Sequence, residues 1–222
     1  MLSSETIVSN DRPVCFVGGA SIAENAISAV FSHVTAFIGV DRGADHLLAA
    51  SVTPAAVIGD LDSLSAQARA TFGPQLCYVA EQSTTDFEKA LTRVKAPMVL
   101  ALGFTGGRLD HTLSVLNVMA RYVDRAIILV DEEDVSFVAR LGHTTFEVEK
   151  GARVSIMPLA AATVTVSGLE WPFTDQQMAL AGFTSPSNAA IGGTVSIQTE
   201  GPVLVTLPRA HLPTAMQAAA RG

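Results

Sequence analysis

The chain has 222 residues, 49% of them apolar and 16% charged, with a formal net charge of −7. That length holds one large domain or two small ones with a real core, and the composition excludes a disordered chain. An acidic chain also lacks the diffuse basic field that holds nucleic acid, so an anionic substrate would need a local cationic site or a metal.

Short apolar runs come first, at "PVCFVGG", "TAFIGVD", "AAVIGD", "QLCYVA", "MVLALG" and "AIILVD". Helix-like segments lie between them, at 22–31, 44–50, 66–71, 86–94 and 109–122. Six strands alternating with helices predict an α/β fold with a doubly wound, mostly parallel sheet over residues 1–135. "AIILV" is apolar on both faces, as a strand covered on both sides requires. After about Asp134 the pattern becomes β-rich, with "HTTFEVEKGARVSIMPL", "ATVTVSGLEWPF", "GGTVSIQTEG" and "PVLVTLPR". Gly and Pro punctuation without a helical period predicts a small antiparallel β-sandwich domain over 140–222.

The uncharged run 176–199 is long enough to raise a membrane span, but three glycines, a proline and an asparagine break it into turns and strands. Cys15 and Cys77 form no CxxC and read as core thiols. The five histidines show no metal-ligand spacing. No apolar leader segment opens the chain, so a soluble cytoplasmic protein is expected, bound to neither membrane nor nucleic acid.

In open α/β sheets, ligands bind outside the carboxyl ends of the strands. Polar clusters follow predicted strands at Asp41-Arg42-Gly43, at 59–63, at 82–86 and at 103–111. Asp60 and Asp62 stand two residues apart with no Lys or Arg between 55 and 64. Their repulsion is unfavourable unless a cation occupies the site. Mg2+ takes hard oxygen ligands, few of them from protein, and Asp60, Asp62 and Asp86 make a plausible set. Thr105, Gly106 and Gly107 offer backbone N–H groups at a helix start, a phosphate cradle, and Arg108 adds a bidentate donor. Each cluster also has a plainer reading. Thr85 to Glu88 fits a capping box, Asp60 and Asp62 could cap the next helix, and "TGGRLD" could be an ordinary strand-to-helix turn. No GxxxxGK[ST] occurs and no GxGxxG, which rules out a Walker P-loop and weakens a dinucleotide reading.

"DRGA" (41–44), "GDLDSL" (59–64), "TTDFEKAL" (84–91) and "GGRLDHTL" (106–113) stand in the order and spacing of thiamine pyrophosphokinases, and the chain resembles that family over most of its length. "GLEWPF" (168–173) and "SNAAIGGTVSIQTEGPVLVTL" (187–207) continue the likeness. The resemblance implies a pyrophosphokinase domain, a thiamine-binding β-sandwich, and a homodimer with sites between subunits. It also implies ATP as co-substrate and Mg2+ as cofactor, converting thiamine to thiamine diphosphate with release of AMP. Asp60, Asp62 and Asp86 match the family's metal and catalytic positions. Asp41, Thr85, Lys89, Arg108 and Asp110 match its nucleotide motifs, with Thr105, Gly106 and Gly107 beside them. Trp171, Ser187 and Asn188 match the segment that holds thiamine. Two departures stand out: Arg42 where the family more often has Gly, and "AEQS" (80–83) where it is richer in Asp and Lys. The rival readings are a pyrophosphokinase for another hydroxymethyl heterocycle such as a pterin, a metal-dependent phosphoesterase, and a nucleotide sensor without turnover.

Overall fold

Every residue of the strands Val14–Val17, Ala56–Gly59 and Val99–Leu102 is buried, as expected of strands covered on both faces. The structure, a computed structural model, describes residues 5–220. The chain forms two compact units, one running up to Val115 and one from Leu116 on.

The first unit runs β1 (Val8–Ser9), β2 (Val14–Val17), β3 (Ala36–Val40), α1 (Gly43–Ala49), β4 (Ala56–Gly59), α2 (Ala66–Thr71), β5 (Leu76–Tyr78), α3 (Asp86–Arg93), β6 (Val94–Lys95) and β7 (Val99–Leu102). Five strands form a parallel array in the order β7-β2-β3-β4-β5. β1 and β6 pair separately. The chain steps outward from β2 to β5, then returns to the other side of β2. That reversal makes a switch point at the carboxyl ends of β2 and β7, where open sheets bind ligands.

The expected helix at 22–31 does not form; the segment is turns and a short 3-10 stretch, Ser28–Val30. The Ser28 hydroxyl donates to the Asn25 carbonyl at 3.0 Å, and several backbone bonds close at three-residue spacing. A Ser hydroxyl can compete with the helix in this way. By contrast α3 is held firmly: Thr85 caps it, accepting from the Glu88 N–H at 3.4 Å. Phe87 meets Phe104 edge-on at 4.8 Å and Phe16 at 6.2 Å, pairs worth about 0.5–1.5 kcal/mol each.

α4 (Leu109–Arg121) leads out of the first unit. The second unit contains β8 (Ile127–Val130), β9 (Asp134–Val138), β10 (Gly142–Val148), β11 (Arg153–Pro158), β12 (Ala162–Ser167), β13 (Phe173–Met178), β14 (Ser185–Ala189), β15 (Gly193–Thr199), β16 (Val203–Pro208) and α5 (Leu212–Ala219). Its strands form two antiparallel arrays, β8-β9-β16-β11-β14 and β10-β15-β12-β13. β12 and β16 alternate buried and half-buried residues, the period of a strand with one core face. Phe137 on β9 meets Phe146 on β10 edge-on at 6.3 Å, joining the two arrays in one core. β8 pairs antiparallel with β9 through a tight connection.

α5 was not expected. Its Leu212, Ala215, Ala218 and Ala219 are buried at helical spacing, and Pro213 sits in its first turn, where a missing N–H is harmless. No helix among the described residues is long and apolar enough to cross a membrane.

Candidate active site

β3 and β4 lie side by side in parallel, with Val40 opposite Ile58, so the residues that follow them emerge together. Asp41 follows β3 and Asp60 follows β4, while Asp86 opens α3. One carboxylate oxygen from each of Asp41, Asp60 and Asp86 lies within 4.8 Å of the other two. The Ser63 hydroxyl donates to Asp41 Oδ2, and Asp41 Oδ1 is buried with no hydrogen-bond partner. Gln82 Nε2 donates to Asp60 Oδ2 at 3.3 Å. Ser65, not an aspartate, caps α2 by accepting from the Ala68 N–H, so the carboxylates of the 59–63 turn are left free of that task.

Lys89 reaches into this group from α3, only 2% exposed, with Nζ 2.9 Å from Asp86 Oδ1 and 3.7 Å from Asp60 Oδ2. Burial pulls the Lys89 pKa down. The hydrogen bond and charge of Asp86, with Asp60 and Glu81, outweigh it and leave the pKa raised. For Asp60, burial acts upward, but hydrogen bonds from Gln82 and the Asp62 N–H, with the Lys89 charge, hold its carboxyl below the usual range. Both groups are therefore charged at neutral pH. Three carboxylates thus converge on a single ammonium, an excess of acidic groups that suits a divalent cation.

The donor set fits a hard ion such as Mg2+, which takes carboxylate oxygens. The orphaned Asp41 Oδ1 is one such donor. Gly59 keeps the cradle open: a Cβ there would stand 3.0 Å from Asp41 Cβ and 3.3 Å from Asp86 Oδ1.

The expected metal set was Asp60, Asp62 and Asp86. The structure brings together Asp60 and Asp86, and adds Asp41, which was expected on the nucleotide. Asp62 lies exposed on the same turn as Asp60, its N–H 3.4 Å from Asp60 Oδ1. Thr85 is engaged as the α3 cap. Gly106 and Gly107 are exposed in the loop after β7, beside half-buried Thr105, and Gly106 takes a positive φ of 74°. Gly107 lies against Ala20, and Gly18 against Gly103, so this loop adjoins the one after β2 at the switch point. Arg108 and Asp110 form an exposed bidentate pair at 3.1 and 2.6 Å, which raises the arginine pKa and lowers that of Asp110.

In the second unit, Trp171 is 63% exposed. Asn188 is 2% exposed; its Oδ1 accepts from the Trp171 and Ala189 N–H groups at 3.2 and 2.9 Å, and its Nδ2 donates to the Trp171 carbonyl at 2.8 Å. Asn188 thus holds the Trp171 backbone. Ser187 takes a positive φ of 56° and its N–H donates to Ser155 Oγ at 3.0 Å.

Sequence reasoning missed Ser63, Gln82 and Glu81. Glu81 accepts from the Thr84 and Ser83 hydroxyls and N–H groups, which tie the turn before α3. No residue type flags Ser63 or Gln82. The one usable signal was position, since both stand in turns that leave the carboxyl ends of strands.

Comparisons with known proteins bear on the family. Residues 27–130 match the family model "Thiamin pyrophosphokinase, catalytic domain", and residues 143–204 match "Thiamin pyrophosphokinase, vitamin B1 binding domain". The chain is 30% identical to thiamine pyrophosphokinase of Bacillus subtilis over 71% of this chain and 79% of that one. It is 24% identical to thiamine pyrophosphokinase 2 of Arabidopsis thaliana over 87% of this chain and 76% of that one. Some plant relatives are longer, and the chain spans little more than half of their length. The solved thiamin pyrophosphokinase of Geobacillus thermodenitrificans superposes with a TM-score of 0.73 at 27% identity, covering 88% of this chain and 96% of that one. With both family domains matched in order along the chain, it belongs to the thiamin pyrophosphokinase family.

Proposed function

We propose that this chain transfers the pyrophosphoryl group of ATP to the hydroxyl of thiamine, giving thiamine diphosphate and AMP. The convergence of Asp41, Asp60 and Asp86 around buried Lys89 carries this reading. Residues 1–135 act as the pyrophosphokinase domain and 140–222 as the thiamine-binding domain. Asp41, Asp60 and Asp86 would hold Mg2+, with exposed Asp62 able to join them from the same turn. Mg2+, when bound, offsets charge on the phosphate oxygens.

The chain's own residues do the positioning on which such transfers depend. Lys89 pairs with both Asp60 and Asp86 and holds the two carboxylates in place. Backbone N–H groups of Thr105, Gly106 and Gly107 offer donors to phosphate oxygens, and Thr85 and Asp110 stand at the heads of the helices that flank the nucleotide. Arg108 can exchange its exposed Asp110 partner for a phosphate, as both groups are open to solvent. Arg42 lies along Gly19 with its side chain exposed, where a phosphate contact is open to it. Trp171, presented by Asn188 with Ser187 next in sequence, offers an aromatic face to the cationic thiazolium ring.

A homodimer with sites between subunits fits the large apolar side chains that the second unit exposes at Trp171, Leu180, Phe183 and Ile191. Two free cysteines fit a reducing compartment, the cytoplasm. The matches lend no support to a pterin pyrophosphokinase or a phosphoesterase. The test is product analysis after incubation with ATP, Mg2+ and thiamine. AMP and thiamine diphosphate in equal amounts are expected. ADP as the stoichiometric co-product, or orthophosphate without any thiamine product, would refute the proposal.

A further inference from the structure

The turn that carries Asp60 is unusually constrained. Leu61 has φ +60°, a left-handed conformation that costs a branched or bulky residue about 1–2 kcal/mol, and its side chain is buried. Such a residue stays there only when its surroundings over-determine it. Here they do so at alternate positions. The Arg69 guanidinium, from the last turn of α2, donates to the Leu61 carbonyl. The Ser63 hydroxyl donates to Asp41 Oδ2, and the Ser65 hydroxyl to Asp45 Oδ1. The turn is thereby tied to the start of α1 on one side and to α2 on the other.

The consequence lies in Asp41. It too has a positive φ, of 46°, and one of its two oxygens is taken by Ser63. The other, Oδ1, is buried, has no partner, and belongs to a carboxylate that converges with Asp60 and Asp86. A carboxylate free to rotate could offer either oxygen or neither; one fixed by a hydroxyl offers a single oxygen in a single direction. We infer that Ser63 and Arg69 are positioning residues for the metal site: Ser63 fixes the Asp41 carboxylate through Oδ2, and Arg69 holds the left-handed Leu61 turn that places Asp60 beside it. Neither touches the ion or the substrates. They pre-form the carboxylate cluster, so that cation binding does not have to order it. Groups that orient ligands in this way alter metal affinity by about 10–100-fold when removed.

This inference rests on reading Asp41, Asp60 and Asp86 as metal ligands, and the experiment separates the two. Mn2+, as a Mg2+ surrogate, is titrated into the nucleotide-free protein and followed by its EPR signal, so the readout is binding and not turnover. The parent is expected to bind Mn2+ and Asp60→Asn to lose it. Ser63→Ala should weaken binding about tenfold, Ser63→Thr should restore it by keeping the hydroxyl, and Arg69→Lys should weaken it. The Mg2+ needed for half-maximal rate should rise in parallel while the thiamine KM stays put, with circular dichroism unchanged. If the parent binds no Mn2+, the metal reading fails and the inference falls with it. If the parent binds Mn2+ but Ser63→Ala and Arg69→Lys bind within twofold of it, the metal reading stands and the positioning roles are overturned.

Discussion

Lys89 lies almost without solvent contact between two carboxylates, so its charge decides whether Asp60 and Asp86 tolerate each other. Replacing it as Lys89→Met keeps the stem and removes the ammonium, leaving a charged hydrogen bond unmade and two like charges close together. The expected cost is about 2–3 kcal/mol in a urea titration of the metal-free protein. Millimolar Mg2+ should recover more stability in the variant than in the parent, because the ion supplies the missing charge. Equal Mg2+ stabilisation in both would show that ion and ammonium do not share a site. For the acids the larger effect is on turnover. Asp62→Asn, at an exposed position, should fold as well as the parent, and Asp60→Asn should lose some stability with its Lys89 partner but still fold, while turnover of each at saturating Mg2+ falls about 100-fold or more through loss of a ligand. Comparable kcat in either variant would remove that residue from the metal assignment. Asp62 is the sharper case, since its exposed carboxylate must turn inward to take part.

The elements explain which parts of the site could be read from sequence. β2, β4 and β7 were legible because residues apolar on both faces have few other places to go. Residues 22–31 were not, because apolar spacing alone cannot weigh the Ser28 hydroxyl against a helical hydrogen bond. Asp60 and Asp86 were legible from a run without cations and from a helix-start pattern. The place of Asp41 beside them was not, since it follows from the adjacency of β3 and β4, a tertiary fact. Asn188 lies in a segment expected to hold thiamine, yet the pattern could not reveal that its amide is taken up by the Trp171 backbone.

The turn leading into α3 carries its own prediction. Hydrogen bonds from Thr84, opposed by burial and joined by those from Ser83 and two backbone N–H groups, push the Glu81 pKa down from an ordinary 4.5 to about 2. A depressed acid stabilises the fold above its unfolded pKa, and that contribution is lost as pH falls through the folded one. Glu81 therefore adds stability at neutral pH that disappears between about 4.5 and about 2. Glu81→Gln should flatten the fall of stability with pH across that window, read from urea midpoints at a series of pH values. An unchanged slope would mean that the turn does not depend on the carboxylate. Within "AEQS", a single glutamate thus satisfies four donors of the turn.

For the whole molecule the question is how the two proposed sets of residues, one for phosphate before about residue 113 and one for thiamine from 168 on, would come to serve one reaction. The proposed homodimer answers it by pairing the first domain of one subunit with the second domain of its partner, and two-fold symmetry then gives two equivalent sites. Complementation tests this with one defect in each set. Asp60→Asn disables the acidic cluster, and Trp171→Ala removes an exposed side chain at little expected cost to folding. Each variant alone should be inactive or nearly so. Co-refolded in equal amounts, half of the dimers are mixed. In each mixed dimer, shared sites place both defects in one site and none in the other. One sound site in two, in half of the dimers, restores about a quarter of parental activity. If each subunit builds its own site, every site keeps one defect and the mixture stays as inactive as its parts. Mixed dimers verified by mass, with no activity returned, would rule out the shared site and leave each chain to supply both halves of the reaction itself.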